Sequence, residues 1–288
     1  MLIIKPHEPV YLPGAPNLSK GMEVFNLAVN MAVDEIVTVD VTQESYERLH
    51  AVHNSFYVDN VLDSCEPNGY GNTDELVNQH SVHSCEMMRV AVERVLQIGG
   101  GVVFAPTSGF HHAGHNFGGG YCTFNGLVVA AMTMRAAKPD AAVLIVDGDG
   151  HYGDGTADII SSLGLSHWLQ QCSLDKSSVQ GDAEFARHKL KTMLSSGPWD
   201  LVIYQAGADA HIEDPFYAGY LDDADWAARD NLVFTMCRNS NIPVIFNLAG
   251  GYNGKKTTML HLSTVETARR VFFGVQSPAH LSPEPNAS

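Results

Sequence analysis

The stretch VLIVDGDGHYGDG, residues 143–155, runs four apolar residues straight into Asp147, Asp149, His151 and Asp154. It contains no Lys or Arg. Carboxylates at the end of a buried strand cost several kcal/mol each unless a cation compensates them, so the missing partner reads as a metal ion. Asp147, Asp149 and His151 are spaced by two, which on an extended backbone turns them to one side. The later segment AGADAHIEDP adds Asp209. Asp149, His151 and Asp209 make a mixed oxygen and nitrogen set of three ligands that leaves positions for water and substrate. That is the arrangement of a catalytic rather than a structural zinc site. Taken singly, Asp154 or Asp214 would read as a helix N-cap.

These residues need strands to bring them together. From about residue 100, GGVVFAPT, AAVLIVD, WDLVIYQAG and IPVIFNLAGG are short continuous apolar runs, the pattern of strands buried on both faces of a parallel sheet. Helical patterns lie between and after them: FNGLVVAAMTMRAA, DAEFARHKLKTML, DADWAARDNLVFTMCRN and TTMLHLSTVETARRVFFG. The alternation predicts a doubly wound α/β sheet, in which ligands bind outside the carboxyl ends of the strands. The runs lead into SGFHHAGH, GDGHYGDG, AGADAHIEDP and AGGYNG, so His, Asp and Tyr converge on one edge. The first hundred residues read as mostly helical, with Thr42 as an N-cap and Glu44 in the following turn. The chain reads as one domain over residues 1–275, followed by a loose Pro-rich tail over 276–288.

At 288 residues the chain has ample length for a full core, and 45% hydrophobic against 17% charged residues reads as globular. A net charge of −15 argues against nucleic acid as a direct partner. The five cysteines, Cys65, Cys85, Cys122, Cys172 and Cys237, form no CxxC or paired spacing and read as reduced thiols. No apolar window is long enough for a signal core or a membrane span, and the expected location is cytoplasmic.

The motifs GFHHA, GGYCTFN, VDGDGHYGDGT, YQAGADAHIEDP and LAGGYN, in this order over residues 100 to 255, resemble the histone deacetylase superfamily of metal-dependent acyl-lysine and acetylpolyamine amidohydrolases. Before them, LHAVHNSFYV and GYGN match more loosely. The resemblance implies a three-layer arginase/deacetylase-like fold, with a central parallel sheet and helices on both faces. It implies Zn2+, one per chain and with Fe2+ as the other candidate, on Asp149, His151 and Asp209. A structural K+ accompanies it on the side of Asp147. His111 and His112 match the pair that handles the attacking water, with Asp147 behind the first and Asp154 behind the second. Tyr252 matches the donor to the carbonyl oxygen, and Gly120 and Tyr121 line the acyl channel. An acylated amine or acyl-lysine is the implied substrate.

Some positions depart from the family pattern. KPHEPVYLPG only faintly resembles the usual His- and Pro-rich opening motif, and no arginine precedes the tandem histidines. GLSHWLQQCSLDKSSVQGD lacks a longer loop that forms one channel wall. Two other readings stand beside the amidohydrolase. An arginase- or agmatinase-like binuclear manganese ureohydrolase would want DxHxD, and here Asp154 falls one position late. A catalytically silent acyl-amine binding module would be favoured by loss of Tyr252 or of a tandem histidine. His80 and His83, three apart and beside Glu86, read as a solvated helix face. His50 and His53 read as packing residues, and His115 and His211 as part of the rim of the site.

Overall fold

In the computed structural model, residues 1–6, 19–31 and 34–274 are described. The proposed tail and most of KPHEPVYLPG lie outside them. Seven strands form one sheet: β1 (Leu2–Ile4), β2 (Glu35–Val37), β3 (Val102–Ala105), β4 (Val143–Asp147), β5 (Leu169–Ser173), β6 (Leu201–Gly207) and β7 (Val244–Ala249). Their order is β2-β1-β3-β7-β6-β4-β5 and every pairing is parallel. The helices are α1 (Lys20–Ala28), α2 (Gln43–Val52), α3 (Ser55–Leu62), α4 (Glu75–Gln97), α5 (Gly126–Ala137), α6 (Asp154–Ser162), α7 (Ala183–Ser195), α8 (Asp223–Asn239) and α9 (Gly254–Phe273). None of them is long and apolar enough to cross a membrane.

β1, β3, β4, β6 and β7 bury alternate residues into opposite cores, which makes the three layers. Val143 and Ile145 of β4 pack with Val58, Met88 and Leu127 from α3, α4 and α5. Leu144 and Val146 pack with Leu190, Phe234 and Val265 from α7, α8 and α9. This two-sided burial is why the apolar runs of β3, β4, β6 and β7 are continuous. Those four strands are neighbours in the sheet, so their carboxyl ends are adjacent. In register, Asp147 lies beside Gln205 and Gln205 beside Asn247, giving a buried polar row at that edge.

Three strands differ from the sequence reading. β1 and β2 lie within the part that read as helical, and β5 (LQQCS) within GLSHWLQQCSLDKSSVQGD, where the sequence reading placed no strand. The helix face carrying His83 and Glu86 is buried rather than solvated, because α4 packs between the sheet and the outer helices α2 and α3. Arg48 and Arg89 pair with Glu86 there, and a buried carboxylate needs such compensation. Thr42 does precede α2, where its N–H donates to Ser45 Oγ at 3.0 Å. All five cysteines are free.

Candidate metal centre and active site

Donor atoms of Asp149, His151 and Asp209 lie within 4.8 Å of one another at the carboxyl ends of β4 and β6. Backbone donors fix both carboxylates. The His151 N–H donates to Asp149 Oδ1 at 3.0 Å, and the Gly150 N–H donates to Asp209 Oδ1 at 3.0 Å. Arg229 of α8, stacked 3.8 Å over Trp226, donates to the carbonyls of Gly148 at 2.9 Å and Gly207 at 3.2 Å. It thereby joins the ends of β4 and β6 from behind.

The electrostatics fit a divalent cation. Burial, with the neighbouring Asp149 carboxylate, pushes Asp209 up to about 6. Hydrogen bonds to Asp149 and Asp209 push His151 up to about 10. Two buried carboxylates sharing one imidazole proton are the charge arrangement a metal ion replaces. Gly250, at the end of β7 with φ +45°, supplies the space: a Cβ there would lie 2.3 Å from Asp209 Oδ1 and 2.9 Å from Asp149 Oδ2.

The tandem histidines stand beside this cluster on the loop after β3, with ring centroids 4.0 Å apart. His111 Nδ1 is 2.9 Å from Asp147 Oδ2, and His112 Nδ1 is 2.6 Å from Asp154 Oδ1. A carboxylate behind each ring fixes its tautomer and aim. Burial opposes charge on His111, but Asp149 and Asp147 outweigh it and raise it to about 9. Asn125, the N-cap of α5, holds this loop by donating to the Ala113 carbonyl at 3.0 Å, and the Thr156 N–H donates to the His111 carbonyl at 3.0 Å. Asp147 is fully buried and also meets Gln205 Nε2 at 3.0 Å, Gln171 Nε2 at 3.4 Å and the Asp149 N–H at 3.2 Å.

Tyr252 closes the opposite side, and Gly120 and Tyr121 share its pocket with the tandem histidines, Asp149 and His151. Burial and the Asp149 and Asp209 carboxylates push the Tyr252 hydroxyl up, so it stays a proton donor. Gly120 has φ +53°, and a Cβ there would strike the His112 ring at 2.5 Å. Tyr121, at φ +65°, places its ring 6.0 Å from that of Tyr252, while Phe216 approaches Tyr252 edge-on at 4.4 Å. All ten sequence-derived site residues therefore gather at one pocket or directly behind it.

Sequence reasoning missed four supporting residues. Gln205 and Arg229 hold the strand ends. Asp214 caps no helix; it accepts the Tyr252 N–H at 2.8 Å. Lys20, buried in α1, donates to the carbonyls of Gly250 and Gly251 and lies 5.5 Å from the Tyr252 ring centroid. Burial lowers it to about 8, against the pull of Asp209, Asp149 and Asp214. Nothing local in the sequence ties Lys20 to residues some 230 positions away. Asp154 is the first residue of α6 but turns to His112, so it adds no ligand for a second metal. Asp74 caps α4 by accepting the Leu76 N–H at 2.9 Å.

The model of the histone deacetylase domain matches residues 19–179 and 171–268. The chain belongs to the histone deacetylase family. An uncharacterized protein of Picosynechococcus sp. is 30% identical over 169 residues, 53% of this chain and 56% of that protein. Histone deacetylase 5 of Arabidopsis thaliana is 31% identical over 147 residues, 49% of this chain and 20% of that protein. Acetylpolyamine amidohydrolase 1 of Pseudomonas aeruginosa is 28% identical over 174 residues, 49% of this chain and 48% of that protein. The chain thus spans at most a little over half the length of these relatives. Family membership accounts for the all-parallel three-layer architecture and supports a deacetylase-type hydrolase.

Proposed function

We propose that this chain is a metal-dependent amidohydrolase that removes an acyl group from an amine, with acetyl-lysine or an acetylated small amine as substrate. The observation that carries this reading is the pair of carboxylate-backed histidines, at 2.9 and 2.6 Å, facing the Asp149, His151 and Asp209 cluster with Tyr252 across the pocket. Those three residues would hold one zinc ion, or Fe2+ on the same donors, which when bound polarises the acyl carbonyl and acidifies water. His112, aimed by Asp154, takes the proton of the attacking water. Tyr252 donates its hydroxyl to the carbonyl oxygen as negative charge develops there. His111, on buried Asp147, gives a proton to the leaving amine. Water supplies the new C–O bond, the C–N bond breaks, and acid and amine leave without a covalent adduct to the protein.

A structural potassium ion belongs to the same proposal. Asp147 is a fully buried carboxylate whose partners, His111 apart, are neutral amides, and a monovalent cation beside it fits that charge. Exchanging potassium for tetramethylammonium is expected to lower the melting temperature; an unchanged melt removes the ion from the proposal. The main test is acetate release by the zinc-loaded protein, with an acetyl-lysine peptide and an acetylated polyamine side by side. Turnover abolished by a chelator supports the reading, and the preferred substrate reports how open the channel is. Metal-loaded protein without turnover on either would refute both substrate assignments.

A further inference from the structure

Tyr252 sits on backbone that belongs to neither a strand nor a helix. β7 ends at Ala249 and α9 begins at Gly254, so residues 250–253 belong to neither. Gly250 and Gly251 adopt φ +45° and +83°, in the left-handed region that glycine enters without penalty. A hydroxyl that must meet a carbonyl oxygen at one fixed point therefore depends on anchors from elsewhere.

The outer anchor is the turn that follows the ligand Asp209. Asp214 spans it with both carboxylate oxygens: Oδ1 accepts the Phe216 N–H at 3.0 Å and Oδ2 accepts the Tyr252 N–H at 2.8 Å. Beside it, Asn253 Nδ2 donates to the Glu213 carbonyl at 2.9 Å, and Phe216 packs edge-on against the Tyr252 ring. The turn is held in its own right. His211 is buried, accepts the Glu213 N–H at Nδ1 (3.2 Å) and turns Nε2 to Asp223 Oδ1 at 3.1 Å, at the start of α8. His211, Glu213 and Asp223 also form a second grouping of metal-type donors. Lys256, in the first turn of α9, already pairs with both Glu213 and Asp223, which makes this grouping an ion-pair clasp rather than a metal site.

We infer that Asp214 is a positioning residue for Tyr252: its carboxylate ties the tyrosine backbone to the Asp209 turn and so sets where the hydroxyl points. This rests on the amidohydrolase reading above. The requirement is chemically narrow, because two N–H groups converge on two acceptors. Asparagine offers one acceptor and places an NH2 donor against the other N–H, so Asp214→Asn keeps the shape and breaks one tie.

The test is single-turnover and steady-state kinetics of the zinc-loaded wild type, Asp214→Asn, Tyr252→Phe and the double variant on an acetyl-lysine peptide, with metal content and thermal melting of each. A misplacement of order 1 Å costs on the order of 100-fold, so Asp214→Asn should lose roughly 10- to 100-fold in kcat with KM little changed and metal content intact. In the Tyr252→Phe background the same substitution should cost almost nothing, since residues acting through one group are not additive. Equal losses in both backgrounds, or an unchanged kcat in Asp214→Asn, overturn the inference. If Asp214→Asn does not fold, Asn253→Ala must show the same Tyr252-dependent loss, and an unchanged rate there overturns it too. Wild type without turnover refutes the amidohydrolase reading and takes this inference with it. Active wild type with an indifferent Asp214→Asn refutes the inference alone.

Discussion

At the scale of single residues, the division of labour among the titratable groups yields two predictions. In the proposed reaction Tyr252 would make its contact only as charge develops on the carbonyl oxygen, so Tyr252→Phe should lower kcat by about 100- to 1000-fold, some 3–4 kcal/mol. Metal content should stay at the wild-type level; an unchanged rate removes Tyr252 from the oxyanion role. His151 gives the second. Its hydrogen bonds to Asp149 and Asp209 raise it to about 10 in the metal-free site, so at neutral pH it carries a proton where a metal needs a lone pair. Loading must release that proton, and apparent affinity should fall about tenfold per pH unit as pH drops below 10, for each proton released. Calorimetry at pH 7 in buffers of different ionisation enthalpy measures this, and release of no proton would exclude His151 as a ligand. Most of this site was legible because its residues cluster in short motifs at strand ends. Lys20, Arg229 and Asp214 were not: each holds a backbone group of a distant segment, and such a contact leaves no local pattern.

The elements place those residues by their ends, and the end of β7 is the most demanding of them. A Cβ on Gly250 would occupy the space between the two ligand carboxylates, and the backbone there is left-handed at φ +45°. Gly250→Ala should therefore displace Asp209 and lower metal affinity by at least about tenfold, the effect expected of mutations beside a metal site. Gly119→Ala is the matched control, because a Cβ there meets nothing within 4 Å, and its affinity should equal the wild type's. Competition against a chromogenic chelator compares them, and equal affinity in Gly250→Ala would contradict the cradle. The same physics explains which elements could be read from sequence. β3, β4, β6 and β7 are buried on both faces and write continuous apolar runs. β2 and β5 are edge strands: Glu35 and Ile36 are exposed in one, Gln170 in the other. β1 is three residues long, too short for a period to show. Glu86 misled for a related reason, since a buried ion pair and a solvated face carry the same residue types.

For the whole molecule the question is how much of the fold's stability resides in the metal. Asp149 and Asp209 are buried and the chain carries a net charge of −15, so a cation at this edge relieves local repulsion without adding a long-range penalty. The unfolded chain cannot bring together the ends of β4 and β6, 58 residues apart in the Asp209–His151 pair, so an ion held by the proposed site would bind the folded state alone. At a thousand-fold excess over Kd that linkage contributes about 4 kcal/mol. For a domain of this size, one kcal/mol moves Tm by roughly 2–4 °C. Chelation should therefore lower Tm by about 8–16 °C, and zinc should restore it. Elemental analysis of the restored protein should find one zinc ion per chain, because Asp154, the carboxylate a second such ion would need, is turned to His112. Two manganese ions per chain would instead establish a binuclear site and overturn the assigned roles of both histidines.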